Sequence, residues 1–136
     1  MKTRSELRDI IIKILYQVYI YEKEKINFNL ENLINEFLDT KNDFVIVATK
    51  EIILHQKDIS VMANKYLKNW DIDRLSKVDK AILSLGIYEL MYTDTPKIVS
   101  INEAIELAKR YSDENVVKMI NATLDQIYHS EEENEW

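Results

Sequence analysis

Apolar residues recur at helical spacing along almost the whole chain. Over residues 3–21, Leu7, Ile11, Ile14, Leu15 and Val18 share one helical face, and Thr3 with Glu6 has the form of a capping box. Residues 22–28 are a polar connector. Asn29 then caps a second helix whose stripe is Leu30, Leu33, Ile34, Phe37 and Leu38, ending near Asp39 where DTKND reads as a turn. A third stretch starts at Asn42 or Asp43. Its apolar positions Phe44, Val47, Ala48, Ile52 and Leu54 cover a wide arc, which predicts a central helix. From Ile59 the stripe is Met62, Ala63, Tyr66, Leu67 and Trp70. The pattern leaves open whether 43–69 is one helix or two broken at Lys57–Asp58, with Asp58 capping the second.

Ser76 and Asp79 open a run, residues 78–91, that is apolar on most sides and therefore predicts a helix buried by several neighbours. Its Gly86 costs about 1 kcal/mol against Ala in a helix interior, so a close helix crossing is expected there. Pro96 ends it. Ser100 and Glu103 read as a second capping box, followed by an inner stripe of Ile101, Ala104, Ile105, Ala108 and Tyr111. After a turn at residues 112–115, Val116, Ile120, Thr123, Leu124 and Ile127 line a last helix. The pattern predicts an all-α domain over residues 1–130 and an acidic, frayed tail over 131–136.

Composition agrees. The 136 residues include one Gly and one Pro, too few for the turns of a sheet-rich fold, and no Cys, which removes disulfides and thiolate metal sites. No apolar run is long enough to span a membrane, and the charged start does not lead into a signal-peptide core, so a cytoplasmic location is expected. The net charge of −6 is concentrated in the tail: four of the acidic residues lie within 131–135. Among the first twenty residues Lys2, Arg4, Arg8 and Lys13 outnumber Glu6 and Asp9. Arg4 and Arg8, one turn apart, predict a solvated basic stripe, suited to phosphate near a helix N-terminus.

Catalytic patterns are missing. A single Gly excludes phosphate-binding glycine loops, and two His without Cys offer little to a metal. Glu51 and His55, at i and i+4, read as a surface pair, and His129 as solvated. Ser84 and Ser100 have no His in a suggestive relation. No catalytic residue, cofactor or metal is expected. Surface tyrosines are the more informative feature: Tyr16, Tyr19 and Tyr21 follow the first helix's core stripe, where a ring has one buried and one wet end.

The order of segments carries a resemblance. An arginine-bearing first helix ends in ILYQ (14–17). YLKNW (66–70), RLSKVDKAILSLGIYEL (74–90), SINEAIELAKRY (100–111) and INATLD (120–125) follow. Together these resemble the NusB family of bacterial transcription antitermination factors, strongly over 66–111, moderately over 4–17 and 116–127, and negligibly over 22–42. The resemblance implies seven helices in two packed subdomains, boxA-type single-stranded RNA and the ribosomal small-subunit protein NusE as partners, and membership of an RNA polymerase antitermination complex that acts on ribosomal RNA operons. It leaves open a homodimer of the free protein. It places RNA contacts on Lys2, Arg4, Arg8, Ser112, Lys118, Met119 and Asn121, and partner contacts on Tyr16, Asp79, Lys80 and Leu83. Ser5 and Glu6 stand where many relatives are basic, Met119 replaces an aromatic residue and Ala122 a glycine, which implies fewer phosphate contacts and a shallower salt dependence. Two other readings are the helical RNA-binding domain of an RNA cytosine methyltransferase, and a helical interaction module that does not bind RNA.

Overall fold

The computed structural model describes residues 1–131. They form seven α-helices and one short 3₁₀ turn, with no strand among the described residues: α1 (Arg4–Lys23), α2 (Leu30–Glu36), α3 (Asp43–Leu54), α4 (Gln56–Tyr66), the turn Ile72–Arg74, α5 (Lys77–Tyr92), α6 (Lys97–Tyr111) and α7 (Glu114–Glu131). α5 is the hub, packed on by α1, α3, α4, α6 and α7. α1 packs on α3, and α2 joins α3 through the Glu31–Lys50 pair at 2.6 Å, making one subdomain. α6 and α7, with α4 against α5 and α7, make the other.

Local signals set most helix starts. The Thr3–Glu6 capping box closes reciprocally, Glu6 N–H to Thr3 Oγ1 at 3.1 Å and Thr3 N–H to Glu6 Oε1 at 2.9 Å. Asn29, Asn42 and Ser76 cap α2, α3 and α5 through their side-chain oxygens. The hub's burial matches its all-round apolar pattern, with Ile82, Leu83, Ile87 and Leu90 fully enclosed. Gly86 sits at a crossing: a Cβ there would lie 3.0 Å from Leu124 Cδ1 and 3.4 Å from Ala104 Cβ. The missing side chain lets α5 approach α6 and α7 together, which explains a glycine that helix propensity alone disfavours.

Several expectations are corrected. α2 stops at Glu36, before Asp39. Residues 43–69 are two helices, and the break lies at His55, not at Lys57–Asp58; Asp58 falls inside the first turn of α4. The His55 ring stacks on Tyr92 at 4.4 Å. α3 is not central: Val47 and Leu54 are exposed, and its inner stripe is Val45, Ala48, Thr49 and Ile52. α6 begins at Lys97, directly after Pro96, whose fixed φ of −53° already suits a helix entry. Ser100 is therefore one turn inside the helix and buried, and Ser100–Glu103 is no capping box. Tyr111, expected inward, is exposed, whereas Tyr19 is wholly in the core, donating from its hydroxyl to Gln56 Oε1 at 2.6 Å. Glu131 belongs to α7 and joins Lys65 at 2.8 Å. The rest of the expected frayed tail, 132–136, lies outside the described residues.

Candidate nucleic-acid interface

Lys2, just ahead of the α1 cap, and Arg4, the first residue of α1, face solvent, and the Arg4 guanidinium lies 4.0 Å above the Phe44 ring of α3. Arg8, one turn on, behaves differently. It is 4% exposed, and its Nε and Nη2 donate to the two carboxylate oxygens of Glu89 on α5 at 2.7 and 2.8 Å. Its Nη1 lies 3.3 Å from Glu103 of α6. Glu103 also accepts from Ser5 Oγ at 2.7 Å, so its carboxylate joins α1 to α6 instead of capping its own helix. Burial works against the charged guanidinium, but the hydrogen bonds and charge of Glu89, and then the charge of Glu103, hold its pKa above the ordinary arginine value.

The expectation of a solvated Arg8 is thus overturned. A guanidinium committed to two carboxylates in a closed site has no donors facing a phosphate. The missed signal was Glu89. A carboxylate in a helix buried by several neighbours needs a compensating partner, and an arginine on an adjacent helix supplies both charge and donors.

A second group ties α1 to the end of α6. Asp9 accepts a hydrogen bond from the Tyr111 hydroxyl and pairs with Lys13 at 3.0 Å and Arg110 at 3.2 Å. Burial raises the Asp9 pKa, but Tyr111 and Lys13 pull harder and leave it below the ordinary carboxylate value. Beside this group Tyr16, 44% exposed, opens onto an apolar cavity of about 370 Å³ lined also by Ile12, Phe37, Val78 and Tyr111.

Asp79 stands where α5 begins and α6 hands over to α7. Its backbone N–H donates to Ser76 Oγ at 3.2 Å and its carboxylate accepts from the Ser112 hydroxyl. The residue expected to face a protein partner and the one expected to face RNA are therefore bonded to each other. Asp79 is largely covered, at 8% exposure. Lys80 is folded back, paired with Asp73 at 2.9 Å and 4.5 Å above the Tyr19 ring. Leu83 is fully buried on the inner face of α5, so its expected partner contact is corrected to a core role. On α7, Lys118 and Asn121 point outward, while Met119 is half-buried against the core.

Glu51 and His55 are a surface pair at 3.7 Å, and among the described residues no cluster of three or more acidic, His or Cys side chains is placed to hold a metal.

The sequence pattern of the NusB family matches residues 5–129. The chain belongs to the NusB family. The transcription antitermination protein NusB of Methylacidiphilum infernorum is 40% identical over 143 aligned positions, covering 100% of this chain and 97% of that protein. A T. maritima NusB structure, 36% identical, superposes with a TM-score of 0.81 over 95% of this chain and 93% of that one. A chain in a crystal structure of antitermination factors NusB and NusE with double-stranded RNA is 24% identical with a TM-score of 0.78 over 93% of this chain and 96% of that one, and shares the fold. The seven-helix, two-subdomain NusB arrangement implied by the sequence is the one observed. No helix among the described residues is long and apolar enough to cross a membrane.

Proposed function

We propose that the chain is a transcription antitermination factor that binds boxA-type single-stranded RNA jointly with the ribosomal protein NusE, and so joins an RNA polymerase complex that reads through terminators. It acts as a cytoplasmic adaptor without a catalytic step. The observation that carries this reading is the 40% identity to an antitermination protein over the full length of the chain. The local geometry supports it. Lys2 and Arg4 at the start of α1, Ser112 at the α6–α7 junction, and Lys118, Met119 and Asn121 on α7 supply the RNA side. Tyr16 and the rim of Asp79 supply the partner side, and the Asp79–Ser112 bond makes the two sides adjoin.

A second reading, a helical interaction module without RNA binding, is favoured by one fact: Arg8 is spent inside the fold, which thins the basic stripe to Lys2 and Arg4. One titration separates the two. Fluorescent boxA RNA is mixed with the protein, with and without NusE, at two salt concentrations. A ternary complex that weakens with salt is expected. Equal affinity for boxA and scrambled RNA supports the second reading, and no complex with NusE at low salt overturns the first.

A further inference from the structure

A cleft of about 330 Å³ lies between the turn before α5 and the start of α7, lined by Trp70, Arg74, Leu75, Ser76, Asp79, Asp113, Asn115, Val116 and Met119. Trp70 is 55% exposed. That exposure is built in. Leu67 and Ile72 on either side of it are buried, the Ile72 N–H is fixed to Asn64 Oδ1 at 2.8 Å, and Asn69 adopts a left-handed φ of 63° that turns the chain outward. A large ring held in solvent between two anchored residues, at the edge of a cleft, has the form of a stacking surface.

The unengaged donors around the cleft indicate what it stacks on. The carboxylates around the cleft are already engaged. Asp71 accepts from the Asp73 N–H, Asp73 pairs with Lys80, Asp79 accepts from Ser112, Asp113 caps the Val116 N–H at 3.0 Å, and Glu114 lies 3.7 Å from Lys118. The cations are not. Arg74 in the cleft, Lys77 next to Ser76 and Lys68 two residues before Trp70 have no ion-pair or side-chain hydrogen-bond partner among the described residues. The charges here balance, but the carboxylates already hold donors, whereas the donors of Arg74, Lys77 and Lys68 are unspent. An exposed indole bordered by uncommitted cations matches the combination that holds single-stranded nucleic acid: ring against base, cation against phosphate. A basic or neutral protein surface would offer Arg74, Lys77 and Lys68 no anionic acceptor.

We infer that Trp70 and Arg74 form a base-binding subsite, in which one unpaired nucleobase stacks on the Trp70 indole over Met119 while Arg74 meets an adjacent phosphate. The inference rests on the RNA-binding reading above and extends the RNA face from α7 across to the start of α5. It also assigns Met119 a place, the apolar floor of the cleft.

The test is a boxA-type 12-nucleotide RNA and a series in which each position in turn is abasic, titrated against the protein with NusE. Trp70→Ala weakens the intact RNA about tenfold, on the scale of one base–aromatic stack, and Trp70→Phe retains most of the affinity. One abasic position costs the unaltered protein about tenfold and costs Trp70→Ala nothing. In a Trp136→Phe background, Trp70 emission is quenched by the intact RNA and not by that abasic one. An abasic profile unchanged by Trp70→Ala overturns the subsite and leaves RNA binding standing. Loss of NusE binding by Trp70→Ala with unaltered RNA affinity assigns the cleft to protein and also overturns it. Failure of the unaltered protein to bind any of the RNAs overturns both readings.

Discussion

Arg8 of α1 and Glu89 of α5 form a two-pronged ion pair, 2.7 and 2.8 Å, with both side chains almost wholly withdrawn from water. Removing one member strands the other charge in the interior, at a cost of about 3–5 kcal/mol. Arg8→Ala is therefore expected to lower the urea midpoint strongly. Arg8→Met combined with Glu89→Met, which removes both charges, is expected to recover most of that loss. A double variant no more stable than Arg8→Ala would show that the pair is not what the single change breaks.

Arg4 offers the contrasting case one turn earlier. Its guanidinium is exposed and lies 4.0 Å over the Phe44 ring. Arg4→Ala is expected to leave stability within about 1 kcal/mol and to reduce the salt slope of RNA binding by about 0.7, the value for one phosphate on a single strand. The check is RNA affinity at four or five salt concentrations. An unchanged slope removes Arg4 from the RNA face.

Asp79→Lys places a cation where a carboxylate accepts from Ser112 at the rim of the partner side. Binding of NusE is expected to weaken at least tenfold, in line with like-charge and lost-pair effects of roughly 2–5 kcal/mol at interfaces. Ser112→Ala breaks the same hydrogen bond but keeps the charge, so its effect on NusE should be several-fold smaller. Calorimetric titration of both variants separates charge from local order. Equal losses would mean that the hydrogen bond matters and the charge does not.

At Gly86 two effects oppose each other. Alanine gains about 1 kcal/mol of helix propensity, and its methyl would press on Leu124 at 3.0 and 3.2 Å. Leu124 is completely buried and has little room to yield, and overpacking costs about 1–3 kcal/mol. Gly86→Ala is expected to lower the melting temperature by a few degrees. The same substitution in a Leu124→Val background should raise it. Stabilisation by Gly86→Ala alone would mean that the α5–α7 contact is looser than these distances indicate.

Asp9 makes the α1–α6 link sensitive to acid. Its pKa lies below the ordinary carboxylate value because the Tyr111 hydroxyl, Lys13 and Arg110 favour the ionised form over the opposing effect of burial. A depressed folded-state pKa stabilises the fold above the unfolded value. That contribution is lost as pH falls through the lower, folded value. Urea midpoints are expected to hold from neutral pH down to roughly pH 5 and then fall. Asp9→Asn should start lower at neutral pH and lose less between pH 5 and pH 3. Parallel acid profiles for the two proteins would rule Asp9 out as a contributor.

Most of the helices are readable because each buries one stripe, and α5 because it is apolar on most sides. Spacing places the inner faces of α1 and α7, and capping letters place Thr3, Asn29, Asn42 and Ser76. Gly86 was readable because an unfavourable residue in a buried helix needs a steric reason. What escaped the sequence involved alternatives of nearly equal local merit. Ser100–Glu103 has the letters of a capping box, yet Pro96 starts the helix earlier and releases Glu103 to bridge Ser5 and Arg8. Val47 and Leu54 look like core residues, but nothing in α3 itself tells which part of a wide apolar arc the neighbours will cover. Arg8 looked solvated because its partners are distant in sequence, and only the rule that a buried Glu89 needs a cation connects them. The Trp70 cleft was invisible for the same reason: its walls come from separate segments.

The ties between Ser5 and Glu103 and between Asp9 and Tyr111 join residues 98 and 102 positions apart. A ribosome adding about 5–20 residues per second needs roughly 5–20 s to make that much chain. For that interval α1 can meet α3 and then α5, its main packing partners, but the two ties that fix its first turns to α6 cannot close. The earliest helix is thus the last to be fastened at its start, and the period in which that end can fray is set by translation speed as much as by the stability of the finished fold.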